Sequence, residues 1–343
     1  MNIQPNSIRL GNSRSILEID ACGGAFTNFR LRQEGLNPLS FMYPLDGVAS
    51  ACGQAAFKGH FLCLGRWGDP SAAERAAGAI KHGDFFVRQW EVLPPYSDTQ
   101  VRMRAISPVE KLQVERKVTL DESAPVFFVN ETVTNVGVAG RWYNMVQHPT
   151  IAAPFLHEGT RVFANADAGI CQEADTAVRS QWPVGQTGTG EAVDLGFSHL
   201  PDHHVFSFIV KPGASFGWLA AWSPADRLLI GYIWPRADFP WINCWQHAEN
   251  GKMLYRGLEF GTSGIHAPLD EILQSGRSEL FGEKTVRFLG AGEHITSRYA
   301  AFLVKTEEYM TAVNDIRITD RKIIVQCDNG QIAIALPAPL PQL

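Results

Sequence analysis

The chain has 343 residues, a formal net charge of -5, and 45% hydrophobic against 19% charged residues. This is the composition of a chain that buries a core, not of a disordered one. An acidic balance without a long Lys/Arg run argues against nucleic acid or an anionic membrane as partner. No apolar run reaches the roughly 18–20 residues of a membrane span. A small neutral molecule is the expected partner, and the oligomeric state is not specified. The first twenty residues hold no apolar stretch of signal-peptide length. The six cysteines are scattered with no C-x-x-C pair. Together these features predict reduced, mostly buried thiols and a cytoplasmic location.

In chain order, short strand-like runs dominate. "SILEIDACGGAFTNFRLR" breaks at a glycine pair between two of them. "QVRMRAIS", "KLQVERKVTL" and "VFFVNETVTNVG" follow, rich in β-branched and aromatic residues. In the second of these, Leu112, Val114 and Val118 share one parity, as a half-buried strand requires. "HVFSFIVKPG", "SFGWLAAWS", "RLLIGYIWP" and "TSRYAAFLV" come later. "KIIVQCDNGQIAIAL" reads as a hairpin turning at Asp328–Asn329–Gly330, so a hairpin is expected at 317–336. Only "PSAAERAAG", entered through Pro70 and Ser71, and "TEEYMTAVNDI" read as helices. With neither linker nor repeat in view, residues 1–343 are expected to form a single all-β domain. Its architecture is a large antiparallel β-sandwich with few short helices.

Five segments carry polar groups that strands and turns do not require. In "GHFLCLGRWGDP", Arg66 is either a surface arginine stacked on Trp67 or a cationic donor to ligand hydroxyls. Arg75 is a nearby alternative. In "KHGDFFVRQWEV", His82 precedes Gly83 at the mouth of an aromatic run and can point into a cleft. In "RWYNMVQHPTIAAPFL", Pro149 pushes His148 toward extended geometry. A histidine there is either a buried structural group or a proton carrier. In "LYRGLEFGTSG", Glu259 faces away from Leu258 and Phe260, and desolvation would raise its pKa toward that of a general base. In "LPDHHVFSFIV", Asp202 can accept from a hydroxyl. His199, His203 and His204 do not readily converge, because Pro201 interrupts any helix and neighbouring strand residues face opposite ways. No metal is therefore expected. "GQTGTGEA" lacks a strand–turn–helix context, so no nucleotide is expected either.

In this order the segments resemble the aldose 1-epimerase (galactose mutarotase) family. The shared features are an early arginine, "HG" followed by aromatics and Trp, a central N…H…F stretch, "DH.F" and a late glycine-flanked Glu strand. The resemblance implies the galactose mutarotase-like supersandwich. It also implies an isomerase of carbohydrate metabolism that interconverts the α and β anomers of a sugar without a cofactor. His148 would be the general acid and Glu259 the general base, with Arg66, His82 and Asp202 binding substrate. "HGDFFVRQWEV" is also similar to the hexose-6-phosphate epimerase branch. A non-catalytic carbohydrate-binding protein of the same fold is the other alternative. It would keep tryptophan platforms such as Trp67, Trp90 and Trp142 but would not need His148 and Glu259 to meet.

Overall fold

The computed structural model describes residues 6–51, 53–174, 177–197, 203–319 and 321–336. Asp202 and His199 lie outside the described residues. The chain is all-β, with two large antiparallel sheets and two short α-helices among the described residues. An eight-stranded sheet runs in the order Arg161–Ala164, Phe216–Ser223, Leu228–Pro235, His294–Lys305, Val126–Asn135, Leu112–Leu120, Gln100–Ser107 and Glu91–Leu93. The centre of the larger sheet runs Phe26–Leu31, His60–Gly65, Arg141–Ala152, Lys252–Gly257, Trp241–Glu249, His204–Val210 and Ala166–Cys171.

Alternation along the strands sets the layers. On Leu112–Leu120 the apolar parity is buried and the other parity is partly exposed. Leu112, Val114 and Val118 enter the core between the sheets. On His60–Gly65, Leu62 and Leu64 enter that same core. Phe61 and Cys63 belong to a separate cluster on the far face of the larger sheet, with Phe41, Trp67, Phe86 and Val146. That second face is where a cavity opens.

Between the sheets lies a charged network. Arg116 Nε donates to Glu131 Oε1 at 2.5 Å, and both side chains are almost fully buried. Gln147 donates to Glu131 Oε2, and His60 Nε2 lies 3.1 Å from Gln147 Oε1. Burial pushes the His60 pKa well below its usual value, so the ring is neutral.

Three expectations are corrected. "TEEYMTAVNDI" is not a helix. Its second half begins the strand Val313–Thr319, which pairs with Lys322–Cys327; that strand in turn pairs with Gly330–Ala335. Val313 and Ile316 pack with Ile323 and Val325 against the outer face of the eight-stranded sheet, and that packing overrides local helix propensity. Leu269–Gln274 is a helix instead, with Asp270 and Glu271 in its first turn. The short helix Ala72–Ala76 carries a capping box between Ser71 and Glu74. Finally, Cys22 is disulfide-bonded, whereas Cys63, Cys171, Cys244 and Cys327 are free and buried. Separation along the chain does not report proximity in a sheet, and the cysteines no longer argue for a reducing compartment. No helix of the described residues is long and apolar enough to cross a membrane.

Candidate active site

Glu259–Gly261 is a three-residue strand wedged between Arg141–Ala152 and Trp241–Glu249. Gln147 pairs with Phe260 and Val146 with Gly261, so the antiparallel register sets His148 opposite Glu259. Leu258 and Phe260 enter the core between the sheets. Glu259 faces the other way. Its Oε1 lies 3.2 Å from His148 Nε2, and its Oε2 accepts from Trp67 Nε1 at 2.9 Å. His148 Nδ1 lies 3.0 Å from Thr150 Oγ1, the next residue on the same strand face. Phe61 stacks on the His148 ring, with centroids 4.3 Å apart.

Phe61, Trp67, His148 and Glu259, all buried, line a cavity of about 500 Å³. His82 also lines it, with its ring centroid 5.6 Å from that of His148. His82 has φ +64 and Gly83 has φ +74. The two consecutive left-handed residues make the tight turn that aims the imidazole inward. The His82 Nδ1 is buried without a protein partner. Trp245, His247, His203, Phe41 and Tyr43 also line the cavity, with the Trp245 ring centroid 6.0 Å from that of His148. The Trp245 and His247 rings are stacked at 5.9 Å.

Burial governs the electrostatics. Desolvation raises the Glu259 carboxyl well above the usual carboxylate range, against the opposing Trp67 hydrogen bond. It lowers His148 to about 3 and His266 to about 4, and it depresses His82 strongly. Both members of the pair resist carrying a charge alone. The pair holds one proton between them, and burial favours carboxyl and neutral imidazole over the ion pair.

The structure therefore brings together His82, His148 and Glu259 of the residues singled out in the sequence. Arg66 is a correction. It follows Gly65 on the side away from Trp67, is buried, and pairs with Glu110 Oε1 at 2.9 Å and Glu74 Oε1 at 2.8 Å. It does not line the cavity. The competing Arg75 is exposed on the short helix and donates to the Pro70 carbonyl. Of the tryptophans, Trp67 is in the site, Trp90 is in the core between the sheets, and Trp142 is half-exposed beside Phe288.

The sequence reading passed over Lys81, Trp245, His247 and His266. Trp245 and His247 share a parity on one strand, which is a legible signal. His266 sits on a loop whose backbone is fixed by Gln172, a contact no local pattern reveals.

The fold is galactose mutarotase-like. Comparison with solved structures shows the same fold in several bacterial proteins. A galactose mutarotase related enzyme from Lactobacillus acidophilus superposes with a TM-score of 0.62 at 12% identity, covering 88% of this chain and 99% of its own. Galactose mutarotase-like proteins from Clostridium acetobutylicum (TM-score 0.61, 14% identity, 88% and 95% covered) and Lactobacillus casei (0.59, 14%, 87% and 100%) are also similar. No family model matches the sequence, and no curated protein matches it.

Proposed function

We propose that this protein is an aldose 1-epimerase, with Glu259 and His148 as its acid–base pair. The observation that carries the reading is their 3.2 Å contact on the wall of a sugar-sized cavity. Ring opening removes the proton from the anomeric O1 and delivers one to the ring oxygen O5. Both oxygens are bonded to C1, so the base and acid must be close neighbours. A pair within hydrogen-bond distance meets that demand. The pair reacts in its less populated ion-paired form, reached by passing the shared proton to His148 across the 3.2 Å contact: Glu259 as carboxylate takes the O1 proton while the His148 imidazolium gives its proton to O5. The C1–O5 bond breaks and C1 becomes a carbonyl. Rotation about C1–C2 and closure with reversed proton transfers yield the other anomer. After opening, the pair is carboxyl and neutral imidazole, the state burial favours. Trp67 orients the carboxylate, Thr150 orients the imidazole, and no cofactor is required.

The aromatic walls suit the apolar face of a pyranose, and the unpartnered His82 Nδ1 suits a hydroxyl donor. Gly83→Ala is expected to disturb that contact. A Cβ at this position would fall 2.1 Å from the Leu64 carbonyl oxygen, at a φ that also disfavours alanine. Displacing His82 should raise KM about 10-fold, the loss of one hydrogen bond. Steady-state rates at varied sugar concentration measure this, and an unchanged KM would remove His82 as a binder.

The substrate is read as unphosphorylated. Lys81 is the one lysine or arginine among the described residues lining the cavity, and it pairs with Asp69 at 3.1 Å. A phosphate usually calls for several convergent cations. Free aldohexoses should therefore be turned over better than their 6-phosphates when both are assayed for anomer exchange. A 6-phosphate preferred at least about tenfold, some 1.4 kcal/mol in transition-state binding, would move the protein to the phosphorylated-sugar branch.

A further inference from the structure

We propose that Cys171, Glu173 and His204 form a second site, for a divalent cation of the zinc type, on the sheet face opposite the sugar cavity. The register explains how three distant residues meet. Cys171 pairs with Phe206 across Ala166–Cys171 and His204–Val210, which carries Glu173 to a position opposite His204. Glu173, in the turn after the strand, brings its carboxylate back against the Cys171 thiol. His204 points to the sheet face opposite the sugar cavity, because its neighbours His203 and Val205 line the cavity on the other side. One potential ligand atom from each of the three lies within 4.8 Å of the other two.

Two further observations point to a ligand. Cys171 Sγ already donates to Glu173 Oε2 at 3.0 Å, so thiol and carboxylate share a proton that a cation would replace. The His204 Nδ1 is buried without a hydrogen-bond partner, a cost rarely left uncompensated. Val193, Leu195, Phe206 and Phe208 pack around Cys171 and form a dry wall on one side. Sulfur, imidazole nitrogen and one carboxylate oxygen form a borderline-soft donor set. It suits Zn²⁺ and leaves a fourth position for water, whereas Mg²⁺ and Ca²⁺ favour oxygen donors.

A coordinating thiol binds as thiolate, so binding must displace its proton into solvent and affinity must rise with pH. The ion would clip the end of one strand to the start of the next, whose other face carries His203 and Val205 into the cavity wall. It takes no part in the proton transfers at Glu259 and His148.

The test is a titration of chelator-treated full-length protein with Co²⁺, followed by displacement with Zn²⁺. One equivalent should bind and give a thiolate-to-cobalt charge-transfer band in the near ultraviolet. Cys171→Ser, which is nearly isosteric, should abolish the band. The exposed Glu173→Gln should keep the band while weakening Co²⁺ by at least about 10-fold, the lower end for a perturbed metal site. Failure of either ion to bind stoichiometrically would overturn the proposal. So would a band that survives Cys171→Ser. Binding lost in His247→Asn but kept in Cys171→Ser and Glu173→Gln would also overturn it, because His203 and His247 approach within 3.4 Å on the cavity side.

Discussion

Glu259→Gln is expected to lower kcat for anomer exchange by roughly 10²–10⁴-fold, the usual contribution of a positioned base. The amide keeps the size of the carboxyl and a contact with Trp67, but it cannot take the O1 proton. His148→Asn should lower kcat by a similar factor, because the amide cannot supply a proton to O5. Sugar affinity, read by quenching of the tryptophans at the cavity, should change far less in both variants. An interaction needed only in the transition state appears in kcat, not in ground-state binding. In the proposed mechanism the two groups act as one proton-sharing unit, so the double variant should be little slower than the worse single one. Near-normal turnover in both single variants would remove the assignment.

Arg116→Leu is expected to produce the largest loss of stability, about 3–5 kcal/mol, by leaving a buried carboxylate without its cation. Arg116 also donates to the Gly24 carbonyl and lies over the Trp90 ring at 4.5 Å, so the substitution removes packing as well. Adding Glu131→Leu should recover part of the loss. Recovery stays partial because Gln147 Nε2 then loses its acceptor. Denaturant unfolding of the two variants measures this. An Arg116→Leu protein within about 1 kcal/mol of wild type would mean that water reaches Glu131 and solvates it.

Legibility in the sequence follows from how many faces of a strand are covered. Leu112–Leu120 has one face in the core and one facing outward, so its parity could be read directly. Arg141–Ala152 is covered on both faces and buried from Tyr143 to Ala152. Its sequence shows no alternation, and nothing local tells that Gln147 faces the inner network while His148 faces the cavity. Glu259 was more transparent, because Leu258 and Phe260 flank it with core side chains. Arg66 misled because its neighbour Trp67 does enter the site. Whether a charged residue follows the same path depends on Glu74 and Glu110, and Glu110 arrives from a turn far along the chain. The helix at Leu269–Gln274 had a readable signature in Pro268, Asp270, Glu271 and the closing Gly276. The strand at Val313–Thr319 did not, since its β-branched residues follow a helix-compatible run and only the sheet beneath selects the extended form.

The most direct measurement of the central claim is polarimetry of pure α and pure β anomers of free aldohexoses, with the spontaneous rate subtracted. The account predicts that wild-type protein accelerates relaxation of at least one of them in proportion to protein concentration, and that Glu259→Gln and His148→Asn lose the acceleration while still binding that sugar. A wild-type protein that binds an aldohexose but accelerates none would contradict the catalytic reading and leave a carbohydrate-binding protein on the same fold.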